Sequence, residues 1–203
     1  MNISIITNFG CQNNCWYCIW KDHPLNKCND IDYEALDNFL CKYKHLGKVS
    51  LSGGGDPLYN YFSNIKFWKY IINRTKELEM KLDIHTRIIL PKARFWSEHI
   101  NRAVISFDVI SNEFIEDIEY LSSLTKVRLY HTVTKEVYIE ELLELKDRGY
   151  DITLKELVGA DDGGMYKYMK DNYRDKFYFL DNSDYNIYFM PDNKEHSNYS
   201  KGY

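Results

Sequence analysis

The chain of 203 residues has no run approaching the roughly 20 apolar residues that a membrane span requires. Its start, MNISIITNFG, lacks the basic residues and long apolar core of a secretion signal. Together these absences point to a cytoplasmic protein with no membrane partner. No stretch concentrates the 26 basic residues, and 30 acidic ones bring the formal net charge to -4, so there is no cationic tract to hold a nucleic-acid backbone. Cysteine is scarce and odd in number, five in all with none after Cys41, which makes a poor disulfide framework. Clustered thiols in a reducing compartment read better as metal ligands.

What the chain does have is 44% hydrophobic and 28% charged residues, enough for one ordinary core and too little for two full domains. Short β-branched runs alternate with helical patterns over residues 1–160. Strands are expected at Ile3–Asn8, Lys48–Ser52, Lys81–Thr86, Ala103–Asp108, Lys126–Val133 and Asp151–Val158. Between them, Leu36, Phe39, Leu40 and Tyr43 recur at helical spacing, as do Ile65, Trp68, Ile72 and Leu78, then Phe114, Ile118 and Leu121, then Ile139, Leu142, Leu143 and Lys146. Asp30 and Ser111 stand where N-caps belong, Gly149 where a C-cap glycine belongs, and Pro91–His99 has room for a shorter helix. Strands joined by helical crossovers pair in parallel with right-handed connections, which leaves a doubly wound sheet or a barrel, complete or partial. Six units are too few to close an eight-fold barrel. In each of these architectures reactive groups gather at the carboxyl ends of the strands.

Residues 161–203 break this rhythm and form a C-terminal extension holding eight of the 18 tyrosines. Its aromatic runs, Lys176–Leu180 and Tyr185–Met190, read as core strands, arranged as a hairpin along the open side of the sheet or as a lid over the site. The last dozen residues, DNKEHSNYSKGY, are polar enough for disorder.

Two motifs fall at the ends of the first two strands. GCQNNCWYCIW places Cys11, Cys15 and Cys18 in a C-x3-C-x2-C spacing, with Tyr17 directly before the last thiol. A closed zinc site usually takes four protein ligands, and His23 or Cys28 would supply a fourth. Cys41 fits a helical face as a small buried residue, and Cys28 sits in a polar loop where a thiol stays reactive. VSLSGGGDPLY then places Gly53, Gly54, Gly55 and Asp56 after the second strand, where glycines let the backbone approach a ligand.

The cysteine spacing resembles the signature of the radical S-adenosylmethionine (SAM) superfamily, and Gly54, Gly55, Asp56 and Pro57 resemble its Gly-Gly-Glu-Pro turn. Asp56 is one methylene shorter than the usual Glu. The resemblance covers residues 1–160 and implies an α/β partial (βα)6 TIM-like barrel carrying a single [4Fe-4S] cluster. Three thiolates would hold three irons, leaving the fourth for the amino and carboxylate groups of SAM, which explains a set of three rather than four. It implies that the glycine turn and Asp56 meet the methionine amino group, that Tyr17 belongs to the cofactor loop, and that Ser106 and Asp108 face the SAM ribose. Arg128, on one strand face with Tyr130 and Thr132, would grip a carboxylate of SAM or substrate. His85 in HTRI would face the substrate or sit in the core, and Glu156 and Val158 would pass near the adenine.

The implied activity is reductive cleavage of SAM to methionine and a 5'-deoxyadenosyl radical, which abstracts hydrogen from a small-molecule, nucleotide or short-peptide substrate. A flavodoxin- or ferredoxin-type reductant is implied with it. No general base is needed for that step and none stands out. Two alternatives remain at this point. One is an activase installing a glycyl radical on a partner protein, and the other is a non-catalytic iron-sulfur or zinc binding module.

Overall fold

The computed structural model describes residues 2–7, 9–18, 31–90, 94–157, 161–180, 186–190 and 194–196. In chain order these form β1 (Asn2–Ile5), α1 (Tyr33–Tyr43), β2 (Lys48–Leu51), α2 (Ile65–Glu77), β3 (Lys81–Thr86), α3 (Arg94–Ser97), β4 (Arg102–Phe107) and α4 (Asn112–Ser122). There follow β5 (Lys126–Thr132), α5 (Ile139–Asp147), β6 (Asp151–Lys155), α6 (Met165–Asn172), β7 (Tyr178–Leu180), β8 (Asn186–Met190) and β9 (Lys194–His196). The described strands make one sheet in the order β7-β6-β5-β4-β3-β2-β1-β8-β9. Strands β1 to β7 are parallel and curl into a half-barrel, as the strand-helix alternation required. Such a fold is α/β, a partial TIM-like barrel.

Several local expectations shift by two or three residues. The first strand ends at Ile5 rather than Asn8, and the sixth ends at Lys155, with Val158 outside the described residues. The N-cap of α1 is Asp32, whose side chain accepts from the Ala35 amide at 2.9 Å; Asp30 lies outside the described residues. Ser111 caps α4 as expected, accepting from the Phe114 amide at 3.1 Å. After α5, Gly149 at φ 92° bonds its amide to the Lys146 carbonyl, a left-handed stop that favours glycine.

The two aromatic runs do not pair with each other. β7 joins β6 at one edge, while β8 runs parallel to β1 at the other. The hairpin of the tail is instead β8 with β9, the latter drawn from the polar last dozen residues. Tyr166, Met169 and Phe177 are buried in the main core, so the start of the extension is part of the same packed unit.

Side chains alternate across the sheet with the period of two. On the outer face Ile3, Ile5, Val49, Leu51, Leu82, Ile84, Ala103, Ile105, Leu129, Ile152 and Leu154 are buried. They form one cluster with Leu36 and Leu40 of α1, Trp68 and Ile72 of α2, Leu121 of α4 and Leu145 of α5. Each such side chain contributes about 1.5–3 kcal/mol by leaving water. The positions between them face the inside of the curl and, apart from Val104, are polar: Ser4, Ser50, Asp83, His85, Ser106, Arg128, Tyr130, Thr153 and Lys155. Ser4 and Ser50, register partners, bond through their hydroxyls at 2.7 Å. Toward the amino end, buried Asp83 receives Arg102 at 2.6 Å, Asn101 at 2.7 Å and Lys48 at 3.9 Å. No helix among the described residues is long and apolar enough to cross a membrane.

His85 meets Tyr130 edge-on at 5.6 Å across this inner face. Burial lowers its pKa to about 4, and the nearby cations Arg102, Lys155 and Lys48 push the same way against Asp83. The folded imidazole therefore stays neutral while the unfolded one takes a proton near pH 6.5, so His85 costs stability as pH falls from about 6.5 to 4. The expected loss is on the order of 3 kcal/mol. Urea titrations across that range should show a shallower decline for His85→Phe than for the parent chain; parallel declines would contradict the assignment.

Candidate active site at the carboxyl ends of the strands

Because β1 to β6 are parallel and in register, the segments that follow them emerge on one rim. The cysteine loop follows β1 and the glycine turn follows β2. Ser52 donates its amide to the Ile5 carbonyl at 3.1 Å, and the pairing resumes beyond the strands as a parallel bridge between Gly10 and Gly55. The Asp56 amide closes it on the Gly10 carbonyl at 2.8 Å. Only glycine permits this approach. A Cβ on Gly55 would lie 2.2 Å from the Gly10 oxygen, and its φ of 131° belongs to the left-handed side. Gly54, at φ 68°, continues the same turn.

Within the loop the Cys18 amide bonds to the Cys15 carbonyl at 3.2 Å, and the Asn13 amide donates to Cys11 Sγ at 3.3 Å. All three thiols are free, Cys11 exposed and the other two half-buried. Among the described residues no three His, Cys, Asp or Glu side chains converge on a single ion. His23 and Cys28 lie outside the described residues. Cys41 is on α1, beside Asp37 and Arg74, and takes an Arg74 hydrogen bond at 3.2 Å.

The residue that joins the rim is Arg87, immediately after β3. Its guanidinium donates to Cys15 Sγ at 2.6 Å and pairs with Asp108 at 2.5 Å. It also reaches the Ser106 carbonyl and the Tyr17 hydroxyl, both at 3.4 Å. Tyr17 in turn donates to Asp108 Oδ1 at 2.6 Å. Burial works to raise the Asp108 carboxyl, but the bonds from Arg87 and Tyr17 outweigh it and hold the group below the ordinary carboxylate value. Burial raises the Cys15 thiol, with Arg87 opposing. The Tyr17 hydroxyl is pushed up by burial and by its bond to Asp108.

Five of the expected cofactor residues, Tyr17, Gly54, Gly55, Ser106 and Asp108, thus share one rim with the three cysteines. Asp56 is there too, but its carboxylate faces inward, only 4% exposed. It accepts from Thr86 Oγ1 at 2.6 Å, the Arg87 amide at 2.7 Å and the Leu58 amide at 2.9 Å. Burial raises its pKa against those three bonds. The shorter side chain braces β3 against the glycine turn. Arg128 is not gathered: lower on β5, it stacks on Tyr178 with 4.8 Å to the ring centroid and pairs with Asp151 at 3.7 Å. Arg87 was not singled out from sequence, although it shares the inner-face parity of Asp83 and His85.

No protein-family model matches the chain, and no curated protein matches it in sequence. Solved structures do match. The crystal structure of methylornithine synthase (PylB), a radical SAM enzyme, aligns with 84% of this chain at TM-score 0.65 and 15% identity. The fold is that of the radical SAM enzymes. BtrN, solved in complex with AdoMet and 2-DOIA, aligns with 91% of the chain at 17% identity, but its TM-score of 0.32 is too low for a common architecture to be argued from it. The chain spans 60% of the length of each of these two proteins. Within that shared fold, the Gly10–Gly55 bridge makes the cysteine loop and the glycine turn of this chain neighbours at the rim.

Two outcomes are expected from these contacts. Gly55→Ala must force the Gly10 carbonyl aside, and the purified variant should show faster proteolysis of the cysteine loop than the parent; equal rates would mean that the bridge is dispensable. A double-mutant cycle of Arg87→Gln and Asp108→Asn, read by urea denaturation, should give a coupling of about 1–3 kcal/mol; additivity would show that the pair is incidental.

Proposed function

We propose that the chain is a radical SAM enzyme in which Cys11, Cys15 and Cys18 hold a [4Fe-4S] cluster with one iron open to SAM. The observation that carries this is the joining of two motifs by the Gly10–Gly55 bridge and the Asp56 amide to Gly10 carbonyl bond, at the rim of a radical SAM fold. A zinc knuckle would account for the thiols and leave that closure without a purpose. The donor set fits the cluster: three free thiols of soft character on an open loop, with Arg87 beside Cys15 to offset the charge of a thiolate. When bound, such a cluster supplies the electron that splits SAM into methionine and a 5'-deoxyadenosyl radical, which takes hydrogen from the substrate.

The protein's part is binding and orientation. Backbone carbonyls of the Gly53–Gly55 turn would accept from the methionine ammonium, while Asp56, bonded to Thr86 and to the Arg87 and Leu58 amides, would fix the turn. Asp108, whose Oδ1 accepts from Tyr17 and pairs with Arg87, is partly exposed at the rim and would meet a ribose hydroxyl of SAM. Arg87 holds Asp108, Tyr17 and Cys15 in one arrangement, so the cofactor loop and the fourth strand are positioned together. The substrate class is a small molecule, nucleotide or short peptide entering the polar inside of the curl. A flavodoxin- or ferredoxin-type protein would deliver the electron.

Anaerobic reconstitution tests this reading. The parent chain is expected to take up about four irons, and its reduced electron paramagnetic resonance spectrum should change on adding SAM, with 5'-deoxyadenosine formed. Replacing Cys11, Cys15 or Cys18 by Ala should abolish the cluster, whereas Cys41→Ala and Cys28→Ala should retain it. Zinc uptake alone, an unchanged spectrum with SAM, or loss of the cluster in Cys28→Ala would overturn the proposal.

A further inference from the structure

On the inner face of the half-barrel the cations that are not fully exposed have a carboxylate, with one exception among the described residues; Lys81 and Lys126 are exposed at its amino end. Arg102 and Lys48 share Asp83 at 2.6 and 3.9 Å, Arg128 has Asp151 at 3.7 Å, and Arg87 has Asp108 at 2.5 Å. Lys155, the last residue of β6, has no ion pair among the described residues. Its parity with Thr153 and Asp151, opposite to core-facing Ile152 and Leu154, turns it inward. Across the curl its charge is felt by His85, and its own ammonium is favoured by Cys18 while burial disfavours it. Its charge thus bears on both the cysteine loop and His85.

A second group points the same way. Thr153, two residues earlier on the same face and 4% exposed, has a buried hydroxyl with no hydrogen-bond partner among the described residues. Buried hydroxyls rarely go unpaired, and one that does calls for a ligand or water. Lys155 and Thr153 are separated by about 7 Å along the strand, a gap that a carboxylate can bridge by accepting from both. Thr132, the register partner of Lys155, adds another hydroxyl-bearing side chain on the neighbouring strand.

We propose that Lys155 and Thr153 form the anchor for a carboxylate group of the substrate, on the inner face of the half-barrel beneath the cysteine loop. That the ligand is the substrate rests on the radical SAM reading; that it is an anion does not. The carboxylate of SAM sits on the same carbon as its amino group, which the glycine turn after β2 would hold. Lys155 lies on β6, four strands from β2 in the sheet order, so an anion there is assigned to a second molecule, the substrate.

The first test uses the full chain without cofactors: acetic anhydride labelling of Lys155 read by mass spectrometry, with succinate as probe and neutral succinamide as control. Succinate at ten times its dissociation constant should slow labelling of Lys155 roughly tenfold and leave Lys48 unaffected. No slowing, or equal slowing by succinamide, overturns the anchor, as it would for a lysine that only offsets the charge of the thiolates. Thr153→Val, nearly the same shape, should weaken the protection about fivefold or more; undiminished protection removes Thr153 from the anchor. In the second test, reconstituted Lys155→Met should keep the parent's iron content and its spectral response to SAM. An intact cluster with no SAM response would assign Lys155 to the carboxylate of SAM and overturn the substrate assignment. Failure of the parent chain to form any cluster would sink the radical SAM reading while leaving the labelling result standing.

Discussion

The contact on which this structure turns is the approach of two backbones, Gly10 to Gly55. Parallel strands end at one rim, but loops that follow them ordinarily diverge. Here the bridge and the Asp56 amide extend the β1–β2 pairing past the strand ends. A side chain at Gly55 would occupy the position of the Gly10 carbonyl, so the spacing of the cysteine loop above the sheet is set by the absence of a Cβ. The three thiols owe their place at the rim to that closure rather than to contacts among themselves.

Charge organises the rest. The outer face is apolar and built from alternating aliphatics, while the inner face contains acids and bases that leave water only in pairs. Asp83 serves Arg102 and Lys48 toward one end of the curl, and Asp108 serves Arg87 at the other. Arg87 belongs to both the scaffold and the site, because its amide holds Asp56 and its guanidinium holds Asp108 and Cys15. With these pairs closed, Lys155 is left as a partly buried inner-face cation without a counter-charge among the described residues, and the proposed anchor rests on that imbalance.

Much of the frame was legible in the sequence. Alternation of β-branched runs with helical spacing implied parallel strands, and Ser111 and Gly149 marked helix limits by local chemistry that needs no tertiary partner. The C-x3-C-x2-C spacing and the three glycines were equally local, and the fold brings Cys11, Cys15, Cys18, Gly54 and Gly55 to one rim. The tail misled because aromatic runs such as KFYFL show that a strand is wanted without showing which edge will accept it. β7 and β8 went to opposite edges.

The sequence by itself determined the class of fold, the parallel pairing and the identity of the thiols, because each depends on periodicity or on spacing within a few residues. Only the tertiary structure decided that Asp56 turns inward to Thr86 and Arg87, that Arg128 stands away from the cysteine loop, and that Arg87 links Cys15 to Asp108. A side chain's partners across 20 to 70 residues of chain depend on strand order and curl, and on which lone pairs other donors have already filled. No local pattern encodes those quantities.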